Sequence, residues 1–313
     1  MVCSGTCAAG ALRHEALIHG SDAELLDVAV PFLDGGAAAG EATLLALPRR
    51  EEALVLRALA DPDAVTLMNA VRLATPLAAL RERHALTARL SAGGTRRVRM
   101  LGTSPREPWP AWARYEAAVN QVLGPLPLWA LCPYDARTVA EHVIADVERT
   151  HPVRATADLR GAPVAAFEEP LGRLEQDARR LDPLQRATPD AELENPSPPT
   201  AGRVVGVLAD ATGLGFAERD AIRLAAAAIV ANAADHGRPP VVVRVWAGPE
   251  GVVVTVSDAG PGPADLLAGV LPSASSPDDE GTLFQVREAV GEVALFRDAG
   301  GRFTVRLVQR SPG

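Results

Sequence analysis

The chain has 313 residues, 48% of them hydrophobic, enough to build two domains with buried cores. A formal charge of −8, from 39 acidic against 31 basic residues, excludes the clustered basic face of a nucleic-acid binder. No apolar run of about eighteen residues occurs, and the opening Met1-Val-Cys-Ser-Gly-Thr-Cys7 lacks the charged-then-apolar layout of a secretion signal, so no membrane span is expected and the protein is placed in the cytoplasm.

The three cysteines are Cys3, Cys7 and Cys132, an odd, low count that does not suggest a disulfide framework. Cys3, Cys7, His14 and His19 match no common structural zinc spacing, and residues 1–11 read as a leader. His14–Gly20 is a short strand. Ser21, with Glu24 three residues on, forms a capping box and opens a helix that stops at Gly35-Gly36. Glu41–Leu47 is a buried strand and Arg49–Ala60 a helix. Strand Asp63–Met68, helix Pro76–Leu90, strand Arg97–Gly102 and helix Trp112–Leu123 follow. Pro127–Cys132 is a strand ending at Cys132-Pro-Tyr-Asp135, and Ala136–Arg149 is a helix. This alternation predicts a parallel sheet with helices on both faces. The turn after the first strand, His19-Gly-Ser-Asp-Ala-Glu24, is no Walker loop, so nothing in this half supports ATP hydrolysis.

Prolines punctuate residues 166–201, which read as an interdomain connector with one short helix at Leu171–Leu181 and an extended end at Asn195–Ala201. The second half runs from 202 to 313. Val204–Thr212 and Glu218–His236 are helices. Pro240–Trp246 and Val252–Ser257 are strands joined through Gly248-Pro-Glu-Gly251. Thr282–Val290 is a helix, and Val293–Phe296 and Phe303–Leu307 form a second hairpin. Helices plus antiparallel strands predict an α+β sandwich.

Ala225–Gly237 is almost wholly apolar yet presents Asn232 and His236 four residues apart, on one helix face, before a stopping glycine. Asn232 either bonds nearby backbone or contacts Mg²⁺ and phosphate. Asp258 follows a Val-rich strand and begins Asp258-Ala-Gly-Pro-Gly262. Such a carboxylate caps a loop or accepts the exocyclic amine of adenine, and Gly260 and Gly262 let backbone approach a ligand closely.

Taken together, Asn232-Ala-x-x-His236-Gly237, a hairpin, Asp258-x-Gly260-x-Gly262, a helix near Val286 and a Gly-Gly hairpin resemble the GHKL ATP-binding domain in the small version used by bacterial anti-sigma factors. That resemblance covers about residues 200–310. It implies ATP and Mg²⁺ as cofactors, with Asn232 at the metal and Asn232, His236, Asp258, Gly260, Gly262, Gly281 and Thr282 at the nucleotide. It implies a sigma factor or a STAS-fold anti-anti-sigma protein as partner, and a homodimer. The anti-sigma kinases carry a general-base glutamate four residues before the pocket asparagine; that position is Ala228 here, and Asp235 lies off that face. The phosphate lid has Gly281 but Thr282 in place of a second glycine, behind Asp278, Asp279 and Glu280, whose charge opposes triphosphate. The departures imply weak or lost ATP binding and a binding protein; the alternative is an active serine/threonine kinase acting on a STAS protein, with a base such as His236. A histidine-kinase fragment fails because no phosphoacceptor helical hairpin adjoins this half.

The first half resembles the MEDS sensory domain over about residues 12–165. Arg13–His19, Val30–Gly36, Ala39–Glu41, Tyr115–Asn120, Leu131–Asp135 and Thr150–Pro152 carry the likeness. It implies a RecA-like fold and a sensing role, without supplying a ligand. His14, Tyr115, Glu116, Asn120, Cys132, Tyr134 and Asp135 are its polar residues, read either as backbone-satisfying structure or as a ligand site. MEDS followed by an anti-sigma GHKL domain is a layout of actinobacterial regulators, which implies control of transcription through partner switching.

Overall fold

The computed structural model describes residues 11–68, 75–102, 109–272 and 281–311. The chain divides into two compact units, Met1–Arg173 and Leu174–Gly313. Among the described residues no helix is long and apolar enough to cross a membrane.

In the first unit, strands β1 (Arg13–His19), β2 (Ala42–Ala46), β3 (Val65–Leu67), β4 (Val98–Gly102) and β5 (Leu128–Asp135) alternate with helices α1 (Asp22–Ala38), α2 (Arg49–Ala58), α3 (Pro76–Ala92), α4 (Trp109–Val122) and α5 (Glu141–Thr150). Short strands β6 (Val153–Arg154) and β7 (Ala162–Pro163) complete a sheet of order β3-β2-β4-β5-β1-β6-β7. Every pairing is parallel except that of β6 with β7. Leu17, Trp129 and Leu131 face α1 and α2, packing with Leu25, Phe32 and Val55. Side chains alternate along a strand, so the residues between them face the other side, beneath α3, α4 and α5. The sheet therefore carries helices on both faces, as the alternation predicts.

Two local expectations change. The helix opened by Ser21, whose hydroxyl accepts the Glu24 amide, does not stop at Gly35-Gly36 but runs through them to Ala38. A Cβ on Gly36 would sit 2.7 Å from Thr43 and 2.8 Å from Arg99, so the glycine admits the Arg99 side chain, which donates to the Phe32 carbonyl at 2.8 Å. The fifth strand also continues past Cys132 through Pro133 and Tyr134 to Asp135, which puts Cys132 inside the sheet.

Helix α6 (Pro170–Arg179) carries the boundary between units. Beyond it lie β8 (Ala191–Glu194), α7 (Pro198–Ala209), α8 (Phe216–His236), β9 (Val242–Gly248), β10 (Gly251–Asp258), α9 (Thr282–Ala289), β11 (Glu292–Arg297) and β12 (Phe303–Arg310). The strands form an antiparallel sheet of order β11-β12-β10-β9-β8. Its inner face buries Val243, Val254, Val256 and Leu307 against Val205, Ile222, Ile229 and Val286 of the helices. This is the α+β sandwich expected.

The stretch expected as a connector contributes to this unit. Leu184 packs on Trp246, Val253 and Val308 of the sheet's outer face, and Ala178 on Ala294 and Phe296. Trp246 donates its indole N–H to the Ala187 carbonyl at 2.9 Å, and β8 pairs with β9. Proline-rich composition predicted an extended tether, but the few apolar side chains between the prolines cover a face that would otherwise meet water. Asn195–Ala201 is likewise not extended throughout. Ser197 caps α7, accepting the Thr200 amide at 3.4 Å, and Pro198 occupies the first turn, where its missing N–H costs nothing.

Candidate functional site

Register brings the polar residues of the first unit together. In the parallel pairing of β1 with β5, His14 lies opposite Ala130 and Ala16 opposite Cys132. His14, Cys132 and Tyr134 therefore share one face of the sheet. Above that face, α4 places Trp112, Glu116 and Asn120 at successive four-residue steps, on one helical stripe. On the far side of β1, the α5–β6 junction supplies His151, two residues before Val153, which pairs with Glu15. His14, Glu116, Cys132, Tyr134 and His151 are each at most 2% exposed.

The contacts inside this cluster are specific. His14 Nδ1 lies 3.1 Å from the Asn120 carbonyl oxygen Oδ1, so Nδ1 carries the proton and donates. The Asn120 amide nitrogen in turn donates to the carbonyls of Thr150 at 2.7 Å and Glu116 at 3.2 Å. His151 Nδ1 donates to the Val147 carbonyl at 2.9 Å. Both imidazoles thus turn Nε2 toward the centre. Tyr134 donates to Glu116 Oε1 at 3.1 Å. Around Glu116 Oε2 stand His14 Nε2 at 3.5 Å and His151 Nε2 at 3.8 Å, and Cys132 Sγ is 3.6 Å from His14 Nε2. Glu116 Oε2 and His151 Nε2 have no hydrogen-bond partner among the described residues.

Burial sets the charge states. It lowers His151 to about 3, helped by the neighbouring His14, so His151 is neutral. Burial also pushes the Cys132 thiol well up, with Glu116 adding to the rise. For Glu116, burial pulls upward but is outweighed by His14, His151 and Arg83, which hold the carboxyl below its usual range.

Not every sequence candidate joins it. Tyr115 is buried next to the cluster, edge-on to Trp112 at 5.2 Å and beneath the Arg83 guanidinium at 5.4 Å. Asp135 does not join at all. At the end of β5 it pairs with Arg137 at 2.7 Å, and Arg137 also reaches Asp22 at 2.9 Å, in a surface network. The pleat turns Tyr134 inward and leaves its neighbour outside. The Arg137 side chain holds the Asp135 carboxyl at about 2, below its ordinary 3.8. A depressed carboxylate stabilises the fold above the ordinary value and loses that contribution as pH falls through 2; exposure keeps the effect small. Arg137→Ala is expected to return the Asp135 titration to near 3.8 by NMR, and an unmoved titration would contradict the pairing. The residue that sequence reasoning missed is His151. It falls within Thr150–Pro152, but its partners lie on β1, α4 and β5, so no local spacing marks it as a site residue.

In the second unit, the carboxyl end of β10 meets the end of α8. Asp258 is 5% exposed, and its Oδ1 accepts the Gly260 amide at 2.6 Å and the Arg238 amide at 3.2 Å. The Ala259 amide donates to the Arg238 carbonyl at 2.8 Å. A Cβ on Gly237 would fall 2.6 Å from Asp258 Cγ, and one on Gly260 would fall 2.9 Å from the Gly237 Cα. Gly262 is left-handed, with φ 64°, and lies flat against the Phe303 ring. Arg297 braces the loop by donating to the Pro261 carbonyl, and to that of Gly301 at 2.9 Å. Asp258 therefore clamps the helix end to the loop with one oxygen.

Asn232 is half-buried on α8 and makes no side-chain hydrogen bond among the described residues, while His236 at the helix end is exposed. Ala228, one turn earlier, is partly buried against the core. Helix α9 packs beside α8, with Gly281 at its N-cap and Thr282 as its first residue. Arg287 holds α9 down by donating to the carbonyls of Ala268 at 2.9 Å and Val293 at 2.8 Å. Asp278, Asp279 and Glu280, as well as Cys3 and Cys7, lie outside the described residues.

Two family models match the chain. The MEDS model (methanogen/methylotroph, DcmR sensory domain) covers residues 13–152, and the histidine kinase-like ATPase domain covers residues 191–308. No curated protein matches it.

Proposed function

Because the chain joins a MEDS sensory domain to a histidine kinase-like ATPase domain, a pairing that fits a regulatory protein, we propose that it is an anti-sigma-type regulator acting in the cytoplasm. The second unit binds a sigma factor or a STAS-fold anti-anti-sigma protein. The first unit senses a signal and changes that affinity. The observation that carries this reading is a pocket wall kept in form without a base. Asp258 is clamped where it can offer Oδ2 to an adenine amine, Asn232 makes no side-chain hydrogen bond among the described residues, and Ala228 stands where a proton acceptor is needed.

The roles follow from chemistry. Asp258 accepts from adenine, Gly260 and Gly262 admit the base and ribose, and Asn232 with His236 faces Mg²⁺ and phosphate. Gly281 and Thr282 start α9 where the triphosphate would lie. An alanine takes no proton from a serine hydroxyl, and a general base contributes about 10²–10⁴-fold in rate. The pocket therefore binds nucleotide weakly and transfers no phosphoryl group.

The test is calorimetry with ATP, with and without Mg²⁺, beside mixing with sigma factors and STAS proteins of the same genome. Weak binding that Asn232→Ala abolishes, together with a stable complex, is the expected result. Failure to bind any sigma or STAS protein would sink the proposal. With labelled ATP and a STAS partner, the natural chain is expected to give no more than trace transfer and Ala228→Glu at least on the order of 10²-fold above that trace. Transfer by the natural chain that Asn232→Ala removes would favour the active kinase instead.

A further inference from the structure

We propose that His14, Glu116, Cys132 and His151 form a binding site for a divalent transition-metal ion of the zinc class, buried inside the first unit. One ligand atom from each of the four lies within 4.8 Å of all the others. Bonds of about 2.0–2.3 Å around a tetrahedral ion set its ligand atoms roughly 3.3–3.7 Å apart. Three of the six separations, 3.5 Å, 3.6 Å and 3.8 Å, match those edges within a few tenths of an ångström. Ordinary hydrogen bonds would draw such atoms closer, to about 2.7–3.2 Å.

Two further observations point to a ligand. Glu116 Oε2 and His151 Nε2 are fully buried without a hydrogen-bond partner among the described residues, a costly state unless something bonds them. Three of the four donors are also held from behind. Asn120 fixes the His14 ring, the Val147 carbonyl fixes His151, and Tyr134 holds the other oxygen of Glu116. Such support sets the tautomer and aims the lone pair.

The donor set selects the ion. Two imidazoles, a thiolate and a carboxylate suit zinc, cobalt or ferrous iron, not calcium or magnesium, which take oxygen ligands. Two of the donors supply negative charge. On binding, the metal–sulfur bond forms as the Cys132 proton leaves to solvent, and thiolate plus carboxylate then neutralise a dication in the interior. The site lies beneath α4 rather than at the surface, so the ion ties β1, β5, α4 and the α5–β6 junction together. Metal occupancy would thereby be felt across the sensory unit, and this stands whatever partner the second unit takes.

The full chain, stripped with chelator, is titrated with Co²⁺ and then Zn²⁺. The expected result is one Co²⁺ per chain, with a thiolate-to-cobalt charge-transfer band and the strong visible bands of tetrahedral cobalt, displaced by Zn²⁺. Cys132→Ser is expected to remove the charge-transfer band, and Asn120→Ala to weaken Zn²⁺ by about 10–100-fold. Cys3→Ser with Cys7→Ser is expected to change neither. Circular dichroism of each stripped variant separates lost ligation from lost fold, and the cobalt spectrum of the natural chain decides even where a variant does not fold. No cobalt band in the natural chain, or a band that survives Cys132→Ser and vanishes with Cys3 and Cys7, would overturn the proposal.

Discussion

Trp112→Ala is expected to cost the first unit about 3–5 kcal/mol, read as a shift in its denaturant midpoint. The indole is 2% exposed and meets the Tyr115 ring edge-on at 5.2 Å. Truncation leaves a cavity that neighbours on α4 cannot fill without moving, and lost contacts add to the transfer term. The consequence extends past stability. Trp112 precedes Glu116 and Asn120 on one helical stripe, so a cavity beneath it loosens the support of both. Trp112→Phe keeps most of the ring and should lose far less. A near-neutral Trp112→Ala would mean that α4 is not seated as described, and the buried cluster would lose its roof.

Gly237→Ala is the second large effect, in the other unit. The added methyl would lie 2.6 Å from Asp258 Cγ and 2.5 Å from the Ala233 carbonyl oxygen. Neither can yield cheaply. The carbonyl belongs to the last turn of α8 and accepts the Gly237 amide at 2.9 Å, while the carboxylate holds two backbone amides. Hydrogen bonds to a charged group are worth roughly 1.5–3 kcal/mol each, and displacing Asp258 puts both at risk. The expected result is a lowered melting temperature and a loss of any adenine-nucleotide affinity by tenfold or more. Gly260→Ala should act alike, since its methyl meets the same carboxylate oxygen at 2.6 Å. Asp258→Asn keeps an acceptor for the backbone amides and should spare stability while removing nucleotide. An unchanged melting temperature for Gly237→Ala would show that the helix end and the loop are not clamped.

Local patterns were legible where the chemistry is local. Ser21 caps its helix because the hydroxyl and the amide it serves are three residues apart. Gly251, at φ 153°, turns the hairpin between β9 and β10 at the place its composition marks. Readings failed where a residue answers to a distant one. The Gly35-Gly36 pair reads as a helix stop, yet the helix runs through it, and position 36 lacks a side chain because Arg99 fills that space. The proline-rich stretch reads as a tether, yet Leu184 and Ala178 cover the second sheet.

By itself the sequence determined the alternation of the first half, the helix-plus-hairpin order of the second, and the spacing of Asn232, His236 and Asp258. Those depend on periods of two and of 3.6 residues and on short loops. Only the tertiary structure decided what meets what. Strand β1 lies between β5 and β6, so His14 comes next to Cys132 on one side and His151 on the other, more than a hundred residues along the chain. Strand order in a parallel sheet is set by crossover connections and core packing, which no local window contains. For that reason His14 and Cys132 could be named from the sequence, while the pocket that unites them with Glu116 and His151 could not.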